Sequence, residues 1–478
     1  IIKDLNSALA KLGYSKNDIK ISKCKNPEFG DFSSSIPLIL AKIHKKSPID
    51  IAHQIRDEII LSDNIIEKIT ATDPGFINFK ISKKYYYSVL EEILNKNDFG
   101  KSSSGKNKSA NVEFVSANPT GPLTIGHGRG AIIGEFASTI LDWNGYQVER
   151  EYYFNNAGRQ MRVLAESVYS RYKESLNQKA DFPEDGYKGE YIRGIAKQLS
   201  SKCSNELSAT KNLEFIKDYS EKIIFEQIKK TLKKIGIVFD NFFNENEIYK
   251  NKEIYKVVAI LKEKNLIYEK DGATWFKASD LGLNQDRVLI KSSEEPTYRL
   301  PDIAYHKDKF ERNYDVIVDV FGADHLDAYP DVLGACEALG YDKSKVKVLV
   351  HQFVTVQDGG KPIKMSTRKA NFISLDDLID EVGSDVVKYF FAMRGMNSHL
   401  NFDLSLAKDE SDQNPVFYIQ YAYARIINIL NKSIDEGFSM DEIFDYRLLN
   451  NKEEIAITKA LLTFPDLIKK AGSSMEPQ

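Results

Sequence analysis

The spacing of apolar positions changes several times along this chain, and each change predicts an element. Ile36–His44 and Ile49–Leu61 carry the three- and four-residue spacing of amphipathic helices, and "GFINFKIS" reads as a strand. The Gly/Ser/Lys stretch "FGKSSSGKNKSAN" then reads as a linker. From Ala110 the pattern is strand ("NVEFV"), glycine-rich loop, helix, strand ("YQVEREYYF"), with Ile132, Ile133, Phe136, Ala137, Ile140 and Leu141 on the helix and Asn144-Gly145 as its stop. That order is a βαβ unit. A second half repeats it: "YDVIVDVFG" as strand, "AYPDVLGACEALG" as helix, "KVKVLVHQFVTV" as strand. Between the halves, at about 155–285, helical spacing predicts a helical insertion. After Asp403 the chain reads as all-helical, with Asn414 as N-cap and Pro415 in the first turn.

The expected architecture is a doubly wound, parallel-sheet (Rossmann-like) α/β core. It is flanked by an α+β N-terminal domain and an all-helical C-terminal domain that is expected to be incomplete. Boundaries fall at 1–104, 105–405 and 406–478.

Composition narrows the class. The 478 residues are 42% hydrophobic, enough for real cores, and no apolar run approaches the ~18 residues of a membrane span. The N-terminus mixes charge throughout, unlike a signal peptide. Three widely separated cysteines make neither a CxxC metal site nor a disulfide framework, and a cytoplasmic protein is expected. The net charge of −3 excludes a uniformly basic coat but leaves room for local phosphate-binding patches. Arginine is scarce beside lysine, so Arg129 and Arg368 in loops suggest planar, bidentate contacts; drift between two cations explains either one equally well.

The stretch from Glu113 to Gly134, "EFVSANPTGPLTIGHGRGAIIG", holds the candidate chemistry. Walker A spacing puts His127 and Gly128 where Lys and Ser/Thr belong, and the glycines lack the dinucleotide register. What remains is P-x-x-x-G-H at a helix mouth: Pro122, Gly126, His127. Free N–H groups and the helix dipole favour an anion there, and Gly126 and Gly128 would let a base or phosphate approach. Taken alone, His127 is better read as the cap of a tight turn; the whole pattern favours the anion site. Downstream, Lys364-Met365-Ser366-Thr367-Arg368 follows Gly359-Gly360 as a cationic loop. Alone it reads as solvated surface; paired with the first loop it suits a leaving pyrophosphate.

These two motifs resemble the HIGH and KMSKS signatures of class I aminoacyl-tRNA synthetases, with Thr124 in place of the first histidine and Thr367 and Arg368 departing from the second. With "FPEDGYKGEY", "PTYRLPDIAYH" and "EFGDFSSSIPLILAKI", the chain is similar over nearly its whole length to bacterial-type arginyl-tRNA synthetases. That resemblance implies an arginine–tRNA ligase: arginine is activated with ATP, brought with Mg2+ as substrate, and passed to the terminal adenosine 2′-OH of tRNA(Arg). Activation is expected to need bound tRNA.

By the same resemblance, Thr124, His127, Lys364 and Arg368 are the expected catalytic groups. Pro122, Gly126, His127, Gly128, Gly322, Asp324, His325, Lys364, Met365 and Ser366 are the expected ATP contacts. Glu113, Tyr298 and Asp302 would take the guanidinium, with Ser116 and Asn118 at the amino acid's backbone end. Glu113 or Asp302 taken singly reads more readily as a surface acid; together, flanking the ATP loop, they are not well explained that way. Phe76 and Asn78, by stacking and edge reading, and Tyr418 and Arg425 are expected to meet tRNA. No protein-held metal is expected, since Asp324 and His325 lack a third ligand at suitable spacing. Neither is a membrane, and a monomer is expected. A nucleotidyltransferase of the same superfold and a catalytically silent RNA-binding relative are the rival readings.

Overall fold

The computed structural model describes every residue except 15–18, 25, 62–64, 203–206, 208, 364–373 and 440–444. The described residues form two compact units. One comprises Ile1–Lys101 with Met440–Leu467, the other Ser102–Ser439 with Ile468–Gln478.

The first unit runs α1 (Ile2–Lys11), β1 (Ile21–Lys23), β2 (Phe32–Ser34), α2 (Ile36–His44), α3 (Pro48–Glu58), β3 (Ile66–Thr72), β4 (Phe76–Ile81) and α4 (Lys83–Asn95). Its sheet is antiparallel in the order β1-β2-β4-β3. One face is closed by Leu5, Leu9, Leu40, Ile51 and Ile55 of the helices, packed with Ile77 and Phe79.

The second unit contains β5 (Ser109–Glu113), α5 (Ile125–Trp143), β6 (Gln147–Phe154), α6 (Gly158–Ser175), α7 (Glu190–Lys202), α8 (Ala209–Lys234), β7 (Asn241–Asn244), α9 (Asn246–Lys250) and α10 (Glu253–Glu263). It continues with β8 (Ile267–Lys270), β9 (Ala273–Phe276), β10 (Arg287–Ile290), α11 (Arg299–Glu311), β11 (Val316–Gly322), α12 (Tyr329–Leu339), β12 (Val346–His351), β13 (Val354–Asp358) and β14 (Lys361–Pro362). Then come α13 (Leu375–Val382), α14 (Ser384–Ala392), β15 (Leu400–Asp403), α15 (Leu404–Ala407) and α16 (Pro415–Asp435). Beyond these, α17 (Lys452–Leu461) lies in the first unit and α18 (Phe464–Ser474) follows it.

The main sheet is wholly parallel, in the order β12-β11-β5-β6-β7. Strand order therefore reverses between β5 and β11, and a crevice opens beyond their C-terminal ends. Helix α5 lies close over the sheet because its glycines permit it. A Cβ at Gly134 would sit 2.2 Å from the Phe114 ring.

Two expectations change. The segment 155–285 is not purely helical: β7 is the fifth strand of the main sheet, and β8 and β9 form an antiparallel sheet with β10 just beyond the segment. Asp271 and Gly272, at φ 53° and 73°, make the tight β8–β9 turn, a hairpin signal present in "EKDGAT". The run "KVKVLVHQFVTV" is two strands in different sheets, since β13 pairs with β14 and β15. Among the described residues no helix is long and apolar enough to cross a membrane.

Candidate functional site

A cavity of about 980 Å³ occupies the crevice at the switch point. Its floor begins where β5 ends. Val115 and Ser116 adopt left-handed φ values of 66° and 43°, which a β-branched valine tolerates poorly. Hydrogen bonds hold this turn: the Ser116 hydroxyl donates to Glu113 Oε1 (2.8 Å) and accepts from the Tyr153 N–H (3.2 Å). Asn118 accepts from the Asn155 N–H and donates to Gln160, both at 3.0 Å.

The loop delivers the start of α5 to the cavity. Thr124 is its N-cap and forms a capping box with His127. The Thr124 hydroxyl accepts from the His127 N–H (3.4 Å), and the Thr124 N–H donates to His127 Nδ1 (3.1 Å). Since Nδ1 accepts, the neutral ring carries its proton on Nε2, where it can donate to a ligand oxygen. Burial, with His351 nearby, holds the His127 pKa below the usual imidazole value, so the ring is neutral at pH 7. His127 is thus both the capping-box partner of Thr124 and a lining residue of the cavity.

Behind the cavity lies a row of buried acids. Register pairs Asp319 of β11 with Glu113 of β5, and Glu113 with Glu151 of β6, so three carboxylates stand side by side on adjacent strands. Asp319 and Glu151 are 0% exposed and Glu113 is 4% exposed. The counter-charges come from His306 and Lys309 of α11 and its C-cap Arg312, which follow Asp302 and Tyr305 at helical spacing. Lys309 Nζ bridges Glu113 Oε2 (2.5 Å) and Asp319 Oδ1 (2.6 Å). Arg312 grips Glu151 with two hydrogen bonds (2.6 and 2.7 Å), and His306 Nε2 lies 3.0 Å from Asp319 Oδ2. Burial opposes every one of these charges. Arg312 nevertheless holds Glu151 down at about 2, and Asp319 and Glu113 keep the Lys309 pKa above its ordinary value.

Asp302, first on that face, differs from the rest. It lines the cavity, and among the described residues its carboxylate has no hydrogen-bond partner. Burial, reinforced by Glu113 and Glu245 against the relief from His306 and Lys309, pushes its pKa up to about 7. Glu245 lines the same cavity and accepts from Tyr153 Oη and Asn155 Nδ2, both at 2.7 Å, with no cation partner among the described residues. Tyr298 stands at the mouth with the Arg299 guanidinium 4.9 Å from its ring centroid. Two cavity-lining acids without a partner cation make a socket for a buried cation.

The structure therefore brings Glu113, Ser116, Asn118, Thr124, Gly126, His127, Tyr298, Asp302, Gly322 and Asp324 to one cavity. Several expectations are corrected. The Glu113 carboxylate lines the cavity while bonded to Lys309 and Ser116, and Glu245, which the sequence did not single out, lines it too. Gly126 is exposed, and a Cβ there would meet only Thr124 Oγ1 at 3.6 Å. A Cβ on Gly128 would instead meet Leu375 Cδ1 at 2.6 Å, so that glycine serves packing. Pro122 is likewise not among the cavity-lining residues. Arg129 is fully buried in α5 rather than in a loop, donating to the carbonyls of Gln352, Ser398 and Gly395 at 2.7–3.0 Å. Asn78 is 3% exposed and spends its amide on Thr72 Oγ1 (2.8 Å), which leaves no edge for a base.

Phe76 is half-buried, while Tyr418 and Arg425 are exposed on α16. Lys364, Met365, Ser366 and Arg368 lie outside the described residues, as does the His325 side chain. Sequence reading missed Glu245, Lys309, Asp319 and His351. Only the helical spacing of His306, Lys309 and Arg312 after Asp302 hinted at the buried row.

Comparison with known proteins gives three family matches. Residues 89–390 match the catalytic domain of class I tRNA synthetases (R), 1–81 the arginyl-tRNA synthetase N-terminal domain, and 419–478 the DALR anticodon-binding domain. The arginine–tRNA ligase of Desulfotalea psychrophila is 46% identical over 99% of this chain and 86% of its own length. That of Chlorobaculum tepidum is 47% identical over 99% of this chain and 88% of its own. The arginyl-tRNA synthetase structure from Thermus thermophilus shares the fold with a TM-score of 0.74 at 19% identity, covering 99% of this chain and 87% of that one.

Proposed function

The chain belongs to the class I arginyl-tRNA synthetases, and from that premise we propose that L-arginine and ATP meet in the cavity at the ends of β5 and β11. The family's reaction ligates arginine to tRNA(Arg). Arginine's carboxylate attacks the α-phosphorus of ATP, and the bond to the β,γ-pyrophosphate breaks. The 2′-OH of the tRNA's terminal adenosine then attacks the arginyl carbonyl and AMP leaves. No covalent protein nucleophile is needed; rate comes from positioning and fixed charge.

In this reading Asp302 and Glu245 hold the guanidinium beside Tyr298, and the Ser116–Asn118 turn faces the amino acid's reacting end. His127 donates from Nε2 to a phosphate oxygen at the N-terminus of α5, where the helix dipole adds to the attraction. Gly322 and Asp324 border the adenosine. Lys364 and Arg368 neutralise the departing pyrophosphate, and ATP brings Mg2+. Tyr418, Arg425 and Phe76 contact tRNA(Arg), whose binding switches activation on, and the enzyme works as a cytoplasmic monomer.

The observation that carries this reading is Asp302: a carboxylate set into the cavity wall without a partner, with a second acid lining the same space. Arginine-dependent pyrophosphate exchange, measured with and without tRNA(Arg), tests it against citrulline, the neutral isostere of arginine. Exchange with arginine and none with citrulline is expected. Comparable exchange with citrulline refutes the assignment of the two acids.

A further inference from the structure

One continuous stretch of chain serves two parts of the cavity. Ser116 and Asn118 stand at its start, Thr124 and His127 open α5 at its end, and all four line the same space. Between them residues 119–123 form neither helix nor strand, so the spacing of the two pairs depends on what holds this link. Part of the hold is local: the Thr120 N–H donates to the Asn118 carbonyl (2.7 Å). The rest comes from "FPEDGYKGEY", which joins α6 to the first turn of α7. Its last residue, Tyr191, donates from its hydroxyl to the Thr120 carbonyl (2.8 Å). Two glycines admit that side chain: a Cβ at Gly121 would lie 2.9 Å from the Tyr191 hydroxyl, and one at Gly189 would lie 2.4 Å from its ring. The segment is fastened in turn to α6, where the Tyr187 N–H donates to the Ser167 hydroxyl (3.0 Å) and Arg159 donates to Asp185 (2.6 Å). Tyr191 is not among the cavity-lining residues, so it grips the link from behind.

We infer that Tyr191 is a positioning residue for the activation step: its hydrogen bond to Thr120 fixes the spacing between Ser116 and Asn118 on one side and Thr124 and His127 on the other. This rests on the assignment of arginine's reacting end to the first pair and of the ATP phosphates to the second. Each substrate is held by its own pair, so loosening the link leaves both affinities almost intact. What suffers is the approach of arginine's carboxylate to the α-phosphorus, where a misplacement of about 1 Å costs up to about a hundredfold in rate.

The test is arginine-dependent pyrophosphate exchange with saturating tRNA(Arg), read as kcat and as separate KM values for arginine and ATP. Each kcat is counted per ATP-binding site titrated by calorimetry, so a misfolded fraction cannot pass for a slow enzyme. Tyr191→Phe keeps the ring and loses only the hydrogen bond. It should lower kcat about tenfold, hold both KM values within about twofold, and lower Tm by only a few degrees. Gly121→Ala presses on the same hydroxyl and should act alike; in the double variant that hydroxyl is gone, so the two losses should not multiply. If Gly121→Ala does not fold, Tyr191→Phe carries the test. A native kcat in Tyr191→Phe, a loss carried by either KM, or multiplied losses in the double variant overturns the proposal. Asn118→Ala checks the premise: it should raise the KM for arginine and spare that for ATP. If it does not, the site assignment fails and the role of Tyr191 falls with it, however slow Tyr191→Phe is.

Discussion

Replacing Asp302 by asparagine should weaken arginine recognition by an amount that depends on pH. A guanidinium contact to a charged acceptor contributes about 1.5–3 kcal/mol per hydrogen bond. Where Asp302 is fully ionised, at pH 8.5, losing about 3 kcal/mol lowers kcat/KM for arginine roughly a hundredfold. With its pKa at about 7, only about one carboxyl in thirty is ionised at pH 5.5. The native enzyme has then lost most of this contact itself, and the ratio of native to variant should shrink to about threefold. Taking the ratio at each pH cancels titrations common to both proteins, His127 among them. Stability should move the other way. The folded chain holds a proton on Asp302 between the ordinary aspartate value and about 7, so stability without arginine falls as pH rises through that window. The Asp302→Asn substitution removes that loss, and the variant's Tm at pH 8 should equal or exceed the native value. The assay is arginine-dependent exchange at pH 5.5, 7 and 8.5, with thermal unfolding alongside. A ratio that stays constant across pH refutes the reasoning, as does a variant with native arginine kinetics.

Other substitutions separate packing from chemistry. Gly126→Ala meets no close neighbour and should keep its Tm while raising the KM for ATP; Gly128→Ala drives a methyl into Leu375 and Phe391 and should cost about 1–3 kcal/mol of stability. Thr124→Val loses the helix cap, about 1 kcal/mol, but His127 Nδ1 keeps its backbone donor, so exchange should fall only a few-fold; abolished exchange at native stability would show that the hydroxyl serves the phosphates directly. Asn78→Ala should destabilise the first unit by about 1–3 kcal/mol, because it removes the hydrogen bond to Thr72 Oγ1 from a buried position; weaker tRNA binding at unchanged Tm would contradict that.

What the sequence determined by itself is local. A strand, a glycine-rich turn and a helix are encoded within about 35 residues, from Ser109 to Trp143, because periodicity, turn chemistry and capping act between near neighbours. Asn414 and Pro415 start α16 for the same reason: the Asn414 side chain accepts from the Val416 N–H two residues on. The glycine-rich loop before α5 was legible too, since a helix start needs particular residues at short spacing. The environment of each residue was not. Asp319 stands beside Glu113 only because parallel strands some two hundred residues apart pair in one register, and nothing near either residue encodes that. For the same reason sequence could single out Glu113 while only the fold joined it to Lys309. It could offer Asn78 to a base while the β-sheet buried it, and it passed over Glu245, which enters the cavity just after β7 joins the sheet. Local pattern sets which element forms; long-range closure sets burial and partners, and those decide whether a carboxylate is a strut or a socket.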